Sequence, residues 1–289
     1  MRLTSHLRLT EEQISEVRDL VNICNEYEQL SGEVFFSNQL NCDTRIKCYY
    51  CIRKKGELVG FLNMFIPTKA EAEITAYVLP EFRNIGIFTK MFEKACAELK
   101  RYGFEKILFV SQPQGKDCGF VLEKYHAQKD HSEYLMEFHG DSVEPLPTEL
   151  KIRKAGPADR DIVSRLSEDA FEEPKETAEA ITDNSLKSEH IDVYLAYDGD
   201  RPIGTMSTNK EGSDLYIYGV GVASDYQGRG IGKQMMNLLM QELIRMKDEV
   251  HIRIEADSKK PNAYGLYQKC GFDIITEFDY SSYQIENRV

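Results

Sequence analysis

Hydrophobic residues in the second half of the chain alternate between the spacing of strands and the spacing of helices. The strand-like spacing predicts strands at 150–153, 192–196, 202–208, 214–222 and 251–256, and a final strand pair within 272–284. The helical spacing predicts helices that begin near 157, 174 and 231, and a short helix that ends near 270. The resulting order, β-α-α-β-β-β-α-β-α-β, predicts a mixed α/β sheet and differs from the strict strand–helix alternation of a Rossmann domain.

The same pattern occurs twice, at a constant offset of 144 residues. This offset pairs Gly60 with Gly204, Val78 with Val222, Gly86 with Gly230, Met91 with Met235, and Leu99 with Leu243. We therefore predict two copies of one domain, at 1–142 and 150–289, with a proline-containing linker at 143–149. Within the first copy, the segment 132–136 predicts the final buried strand.

Composition narrows the possible partners. The chain has 289 residues, of which 42% are hydrophobic and 29% are charged, as is typical of folded globular proteins. The net charge of −12 disfavours nucleic acids and anionic membranes as partners and favours a partner that carries an amine. No signal-like or membrane-spanning apolar run is present, so we expect a cytoplasmic protein. The oligomeric state is left open.

The histidines and cysteines give no metal signature. The six histidines have no metal-ligand spacing, and Cys48 and Cys51 lie in a strand-like run where residues three apart face opposite sides of a sheet. The odd number of seven cysteines favours reduced thiols. We therefore predict no bound metal.

A glycine-rich turn joins the strand at 216–222 to the next helix and reads Gln227-Gly-Arg-Gly-Ile-Gly-Lys233. Glycines at alternate positions let main-chain N–H groups approach an anion, and the helix N-terminus adds partial positive charge. Arg229 and Lys233 can add charge-assisted contacts. The turn therefore predicts a pyrophosphate site, although such a turn alone can also be a plain connection. It matches neither the Walker A motif nor a dinucleotide fingerprint.

Two motifs together resemble the acetyl-CoA signature of the GNAT superfamily of N-acetyltransferases. The first is Val220-x-Val222 followed by Gln227-x-x-Gly230-x-Gly232, and the second is Ala263-x-x-Leu266-Tyr267-x-x-x-Gly271-Phe272. The resemblance is close over 150–285 and, through the repeat, looser over 1–140. The whole chain is thus similar to a tandem GNAT protein, with two acyl-CoA N-acyltransferase domains, each a mixed, mostly antiparallel sheet flanked by helices.

The resemblance implies acetyl-CoA as co-substrate and assigns roles to particular residues. The strand would offer its main chain to the thioester and pantetheine at Val220, Gly221 and Val222. The pyrophosphate would contact Gln227, Gly228, Arg229, Gly230, Ile231, Gly232 and Lys233. Tyr267 matches the family tyrosine that protonates the departing thiolate, a role that suits a phenol because it is protonated at neutral pH. Where the family pattern often has asparagine, this sequence has Lys260.

The general base is not identified by the motifs. Tyr218, on the strand before the loop, and Glu255, on the neighbouring strand, are candidates by position only. The first copy has diverged: Phe88 replaces the last glycine of the loop, and no tyrosine matches Tyr267. We therefore interpret the N-terminal copy as degenerate, while Arg83 and Gly86 leave weak CoA binding open.

We expect an N-acetyltransferase whose C-terminal domain transfers acetyl from acetyl-CoA to a primary amine of a small cationic acceptor by direct attack. The alternative is a non-catalytic acyl-CoA-binding or regulatory tandem module; a third reading, aminoacyl transfer from tRNA, is disfavoured by the net charge. Asp169, Glu172 and Glu173 follow the first helix of the second copy. They can either attract an ammonium group or merely solvate the end of that helix.

Overall fold

The computed structural model describes residues 1–285 apart from 33, 35, 40, 141 and 246–249. The chain divides into two compact units. Unit 1 comprises Met1–Ser132 and Thr276–Val289, and unit 2 comprises Glu133–Ile275. These units do not coincide with the two repeats. The last strand of the first repeat pairs partly within unit 2, and the last strand of the second repeat pairs partly within unit 1. The boundaries 1–142 and 150–289 therefore stay a prediction about the repeats.

Unit 1 is a mixed sheet flanked by helices. Its elements are β1 (Arg2–His6), α1 (Glu11–Glu28), β2 (Tyr49–Lys54), β3 (Glu57–Phe65), β4 (Ala72–Val78), α2 (Ile87–Arg101), β5 (Lys106–Ser111), α3 (Cys118–Lys124) and the first part of β6 (Gln128–Phe138). The strand order is β1-β2-β3-β4-β5-β12, where β12 spans Phe272–Gln284 and β4–β5 is the parallel pair. Residues Asp279 to Gln284 of β12 pair antiparallel with β5.

Unit 2 repeats this plan. Its further elements are β7 (Lys151–Lys154), α4 (Arg160–Phe171), α5 (Lys175–Lys187), β8 (Ile191–Asp198), β9 (Arg201–Glu211), β10 (Asp214–Val222), α6 (Ile231–Arg245), β11 (His251–Asp257) and α7 (Pro261–Lys269). The strand order is β6-β11-β10-β9-β8-β7, with β10–β11 parallel. The expectation of a mixed, mostly antiparallel sheet in each half is confirmed.

The two repeated glycines at 60 and 204 let a helix pack directly on a strand. A Cβ on Gly204 would lie 2.5 Å from Met235 Cε of α6, and a Cβ on Gly60 would lie 2.6 Å from Ile87 Cγ2 of α2. Met235 and Ile87 are buried in the cores of their units. The conservation of this spacing between the repeats therefore reflects the same close helix–strand contact.

The predicted elements of the second copy are present, with one error. The final strand pair predicted within 272–284 is wrong, because β12 is a single strand of 13 residues. The segment has no glycine or proline to turn the chain, and its last residues extend along β5 instead of folding back. In the described part of the chain, no helix is both long and apolar enough to cross a membrane.

Candidate active site

Strands β10 and β11 of unit 2 part midway along their length. Their parallel pairing runs from Asp214 with His251 to Ile217 with Ile254 and ends there among the described residues. Beyond this point β11 stays paired with β6 as far as Asp257, while β10 continues to Val222 beside β9. The two strands therefore diverge toward their C-terminal ends.

A β-bulge lies on β10 where the opening begins. Tyr218 is opposite Ser207, but the next recorded pair is Gly221 with Thr205, so β10 has one more residue than β9 in this stretch. Gly219 has a φ of 60°, a conformation that glycine adopts without strain. A bulge interrupts the hydrogen-bond ladder with the partner strand. Beyond Ile217, main-chain groups on the other edge of β10 have no strand partner in β11 among the described residues.

Close packing of the end of α4 against β10 requires glycine at position 221. A Cβ at this position would lie 2.8 Å from Ala170 Cβ and 3.0 Å from Phe171 Cζ. The end of α4 therefore packs directly on the strand after the bulge, which fixes the position of the opening.

The loop between β10 and α6 presents its backbone at a helix N-terminus. Gly228 and Gly230 have φ values of 73° and 74°, and no atom would lie within 4 Å of a Cβ at either position. Backbone conformation, and not crowding, therefore favours glycine there. The N–H groups in the first turn of α6 have no partner within the helix. The geometry is that of an anion site.

Two contacts hold this loop to its surroundings. The Gln227 side chain donates from Nε2 to the Val222 carbonyl at 3.0 Å. Asp169 accepts from the Ser224 main-chain N–H at 2.7 Å and from the Ser224 hydroxyl at 2.8 Å. Asp169 therefore holds the loop in position through both of its carboxylate oxygens.

The loop carries positive charge. Arg229 lies over the Tyr226 ring at 5.3 Å from its centre, and Arg201 lies over the same ring at 5.0 Å. Arg201 is neutralised by Asp225 at 2.6 Å. No ion pair is recorded for Arg229 or for Lys233 among the described residues, so both charges are available to an anion.

Tyr267 lies next to this loop on α7. A Cβ on Gly232 would lie 3.4 Å from Leu266 Cδ2, so the first turn of α6 contacts α7 at the residue before Tyr267. The Tyr267 ring is 7% exposed and meets Phe272 edge-on at 6.4 Å. Burial, with a smaller contribution from Cys270, raises the Tyr267 pKa to about 12. The phenol is therefore protonated at any physiological pH and can act as an acid.

The two candidate bases differ in their ionisation. Tyr218 is held by Ser185 of α5, whose hydroxyl is 3.4 Å from the phenol oxygen, and burial raises its pKa above the ordinary tyrosine value. Glu255 is on the face of β11 opposite to the buried Ile254 and Ala256. Solvent reaches the Glu255 side chain, but the surrounding protein disfavours its charge. Desolvation by the surrounding protein first, and then the charge of Glu133, raise its pKa to about 7.

Of these two groups, only Glu255 has a pKa near neutral pH, whereas that of Tyr218 is raised above the ordinary tyrosine value. Glu133, which helps to set this pKa, was missed by the sequence reasoning. It is on β6, opposite Asp257 in the strand register, and thus on the same face as Glu255. No local motif could have found it, because it belongs to the other repeat.

The residues predicted to bind acetyl-CoA form one continuous stretch in unit 2, from the bulge of β10 to the first turn of α6. They are Val220, Gly221, Val222, Gln227, Gly228, Arg229, Gly230, Ile231, Gly232 and Lys233. Tyr267 is beside that stretch, and Tyr218 and Glu255 are on the two strands that part. The described residues contain no group of three or more histidine, cysteine, aspartate or glutamate side chains that could hold a metal ion.

Comparison with known families agrees with this geometry. A family model described as the acetyltransferase (GNAT) family matches residues 14–124 and 160–272, one segment in each repeat. The chain is 25% identical over 290 residues to a mycothiol acetyltransferase of Actinosynnema mirum, an alignment that covers 93% of this chain and 95% of that protein.

Two solved structures are similar over the full length. A GCN5-related N-acetyltransferase from Sphaerobacter thermophilus matches with a TM-score of 0.77 at 14% identity, covering 99% of this chain and 97% of that one. A tandem GNAT protein from the clavulanic acid biosynthesis pathway matches with a TM-score of 0.72 at 13% identity, covering 100% of both chains. At these identities the likeness concerns the fold alone.

Proposed function

The chain belongs to the acetyltransferase (GNAT) family, and from that premise we propose that its C-terminal repeat transfers an acetyl group from acetyl-CoA to the primary amine of a small cationic acceptor. Membership of the family makes it an acyltransferase. The observation that carries the finer proposal is the combination, within unit 2, of a bulged and splayed strand, a glycine-rich helix N-terminus and a protonated tyrosine.

The residues of unit 2 fit the chemical parts of acetyl-CoA. Main-chain groups of β10 that lie beyond its last pair with β11 can hydrogen-bond to the amides of the pantetheine arm. The N–H groups at the start of α6, with Arg229 and Lys233, suit a diphosphate. Acetyl-CoA supplies the acetyl thioester and, with it, the leaving thiolate.

The side chains around the opening would move the protons. Glu255, with a pKa of about 7, is ionised in a large fraction of molecules at neutral pH and can accept a proton from the acceptor ammonium. The neutral amine then forms the new C–N bond as the C–S bond breaks. Tyr267 can give its phenol proton to the departing sulfur, because its pKa of about 12 keeps it protonated beforehand. The nitrogen loses one further proton as it becomes an amide, and this proton balances the one that Tyr267 takes up to regain its neutral form.

Charge supports a cationic acceptor. The net charge of the chain is −12, and the second half carries the larger share of it. Glu172 and Glu173 follow directly after α4, which packs on the bulged strand. Burial raises the pKa of Glu173, and the nearby Lys260 partly opposes this effect. An ammonium group near these carboxylates would be attracted and oriented.

Release of free CoA thiol from the purified full chain tests the proposal. The assay uses acetyl-CoA and a panel of amines, including mycothiol-type acceptors to which the name of the actinobacterial relative points. We expect Tyr267→Phe to lower kcat about 10²- to 10⁴-fold with little change in acetyl-CoA affinity, because the ring is kept and the acid is lost.

Tyr264→Phe is the matched control for this variant. Tyr264 is on the same helix, where its ring packs against Tyr134 at 5.4 Å between ring centres. Removal of its hydroxyl should change kcat by no more than about twofold relative to the parent chain. Equal effects of the two variants would remove Tyr267 from the mechanism. If acetyl-CoA binds but no amine yields free thiol, the non-catalytic acyl-CoA-binding module becomes the better description.

The cationic acceptor has its own test. Pairs of amines of equal size, one of which carries an additional positive charge, are compared at low and high ionic strength. We expect kcat/KM to favour the more cationic amine and this preference to weaken as salt screens the protein charge. A preference for the less charged amine at both ionic strengths would contradict this part of the proposal.

A further inference from the structure

Unit 1 contains a cavity of about 460 Å³ that the proposed function does not use. It lies where β4 and β5 part, since their parallel pairing ends at Ile74 with Phe109 among the described residues. Its walls include Ile74, Phe82, Phe88, Phe109, Val121 and Leu122. The volume falls within the range of small-molecule sites, and apolar walls with a few polar groups are typical of them.

The charged side chains that line this cavity balance one another, because Arg83 and Lys124 are cationic and Glu28 and Asp117 are anionic. The Arg83 guanidinium donates to Asp117 at 2.7 Å and also to Glu28. Glu28 additionally accepts the Lys116 main-chain N–H at 2.9 Å, which holds its carboxylate in place. The lining therefore carries two positive and two negative charges, so it has no net charge that would attract an anionic ligand.

The loop of unit 1 has become apolar where the loop of unit 2 is basic. By the 144-residue offset, Ile85 stands in the place of Arg229, Thr89 in the place of Lys233, and Phe88 in the place of Gly232. The Phe88 ring stacks on Phe92 at 5.5 Å between centroids. An aromatic ring therefore lines the cavity at the helix start, where a diphosphate would need free N–H groups.

A large apolar side chain is left uncovered at the same cavity. Phe120 on α3 is 71% exposed and lines it. Solvation of an exposed phenyl ring is unfavourable relative to its burial against an apolar ligand. A ligand within the cavity would cover this ring and fill the space beside Phe88.

We propose that this cavity binds an uncharged, predominantly apolar small molecule and does not bind acetyl-CoA. Its apolar walls would contribute the affinity. The lack of net positive charge, with Arg83 already paired to Glu28 and Asp117, would disfavour ligands that carry phosphate or sulfonate groups. The proposal is independent of the reaction in unit 2, so either can fail without the other.

Two fluorescent probes with one skeleton and different charge test this site. N-phenyl-1-naphthylamine is neutral, and 1-anilinonaphthalene-8-sulfonate adds a negative charge. Each is titrated into the full chain in the presence of saturating acetyl-CoA, which occupies the unit 2 site. We expect saturable binding of the neutral probe, at least about tenfold tighter than that of the sulfonate. Equal or tighter binding of the sulfonate, or no saturable binding of the neutral probe, would overturn the proposal.

Variants locate the bound probe. Ala76→Phe places a ring in the cavity, which Ala76 lines, and should abolish binding of the neutral probe. Val220→Phe introduces the same ring at the position 144 residues later, in unit 2. It should weaken acetyl-CoA binding but leave probe binding unchanged. Probe binding that survives Ala76→Phe and is lost in Val220→Phe would assign the probe to unit 2 and reject the proposal.

A surface variant covers the case in which Ala76→Phe fails to fold. Phe120→Ser changes an exposed side chain and should preserve the thermal transition. The variant should weaken binding of the neutral probe about threefold to tenfold, because the bound molecule loses contact with the Phe120 ring. An unchanged affinity in a folded Phe120→Ser protein would count against a ligand in this cavity.

Discussion

The loop that follows β4 in unit 1 and the loop that follows β10 in unit 2 have the same backbone but different chemistry. Asn84 has a φ of 60° where Gly228 has 73°, and Gly86 has 84° where Gly230 has 74°. Asparagine is one of the few residues that tolerate this left-handed conformation. The turn has therefore kept its shape in both repeats, so shape by itself does not distinguish a binding loop from a connection.

The strands before these loops do differ. In unit 1 the pairs of β3 with β4 run without interruption from Gly60 with Val78 to Phe65 with Glu73. In unit 2 the corresponding ladder contains the bulge after Tyr218. An unbroken ladder uses the main-chain groups that a bulge releases. The comparison indicates that the bulge and the loop charges, more than the glycines, distinguish the structure of unit 2 from that of unit 1.

Removal of the proposed base should give the largest contrast between the units. Glu255→Gln is expected to lower kcat/KM about 10²- to 10⁴-fold, because an amide cannot accept the proton. Ser111, at the equivalent position of unit 1, provides the control: Ser111→Ala should leave kcat/KM within about twofold. Steady-state kinetics with free-thiol detection measures both. A Glu255→Gln protein with full activity would return Tyr218 or an ordered water to consideration as the base.

A change at the equivalent loop glycines tests whether only one loop binds acetyl-CoA. Gly230→Val places a β-branched residue at positive φ, and we expect acetyl-CoA affinity to fall about 10- to 100-fold through strain and loss of the backbone geometry. Gly86→Val introduces the same strain in unit 1 and should leave the affinity unchanged. Calorimetry on the parent chain should give one site per chain, and two equal sites would end the functional distinction between the units.

The pH profile tests the influence of Glu133 on Glu255. Because Glu255 must be deprotonated to act as a base, kcat/KM should rise with pH through its pKa of about 7. Glu133→Gln removes a negative charge that raises this pKa, so the acid limb should move to lower pH by a few tenths of a unit or more. A merely structural effect would lower the rate without moving the limb. Glu149→Gln, at an exposed acid outside β6 and β11, is the charge-matched control.

The smallest effect on acetyl-CoA affinity is expected when a unit 2 glycine is replaced by the residue at the equivalent position of unit 1. Gly228→Asn should weaken acetyl-CoA binding by no more than about threefold to fivefold, since Asn84 already adopts the same conformation in unit 1. The loss is measured by calorimetry against the parent chain. A loss as large as that of Gly230→Val would mean that an asparagine side chain obstructs the ligand directly.

Local patterns were sufficient for most of the fold. Periodicity predicted every helix of the second repeat, because each buries one stripe of its surface in its own unit, as Met235 and Leu239 do on α6. The loop was predictable because its glycines are adjacent in sequence to the strand and helix that they join. The single strand β12 was not, because an extended segment of that length and a hairpin have the same alternation.

The sequence by itself determined the repeat, the order of elements and the glycine-rich turn, since each depends on residues close together in the chain. Only the tertiary structure decided that residues 133–138 join the sheet of unit 2 and that residues 279–284 join that of unit 1. It also decided the bulge on β10 and the position of Glu133 on the same face as Glu255. The physical reason is that strand pairing depends on register between distant segments, and an alternating strand can satisfy the edge of either sheet equally well.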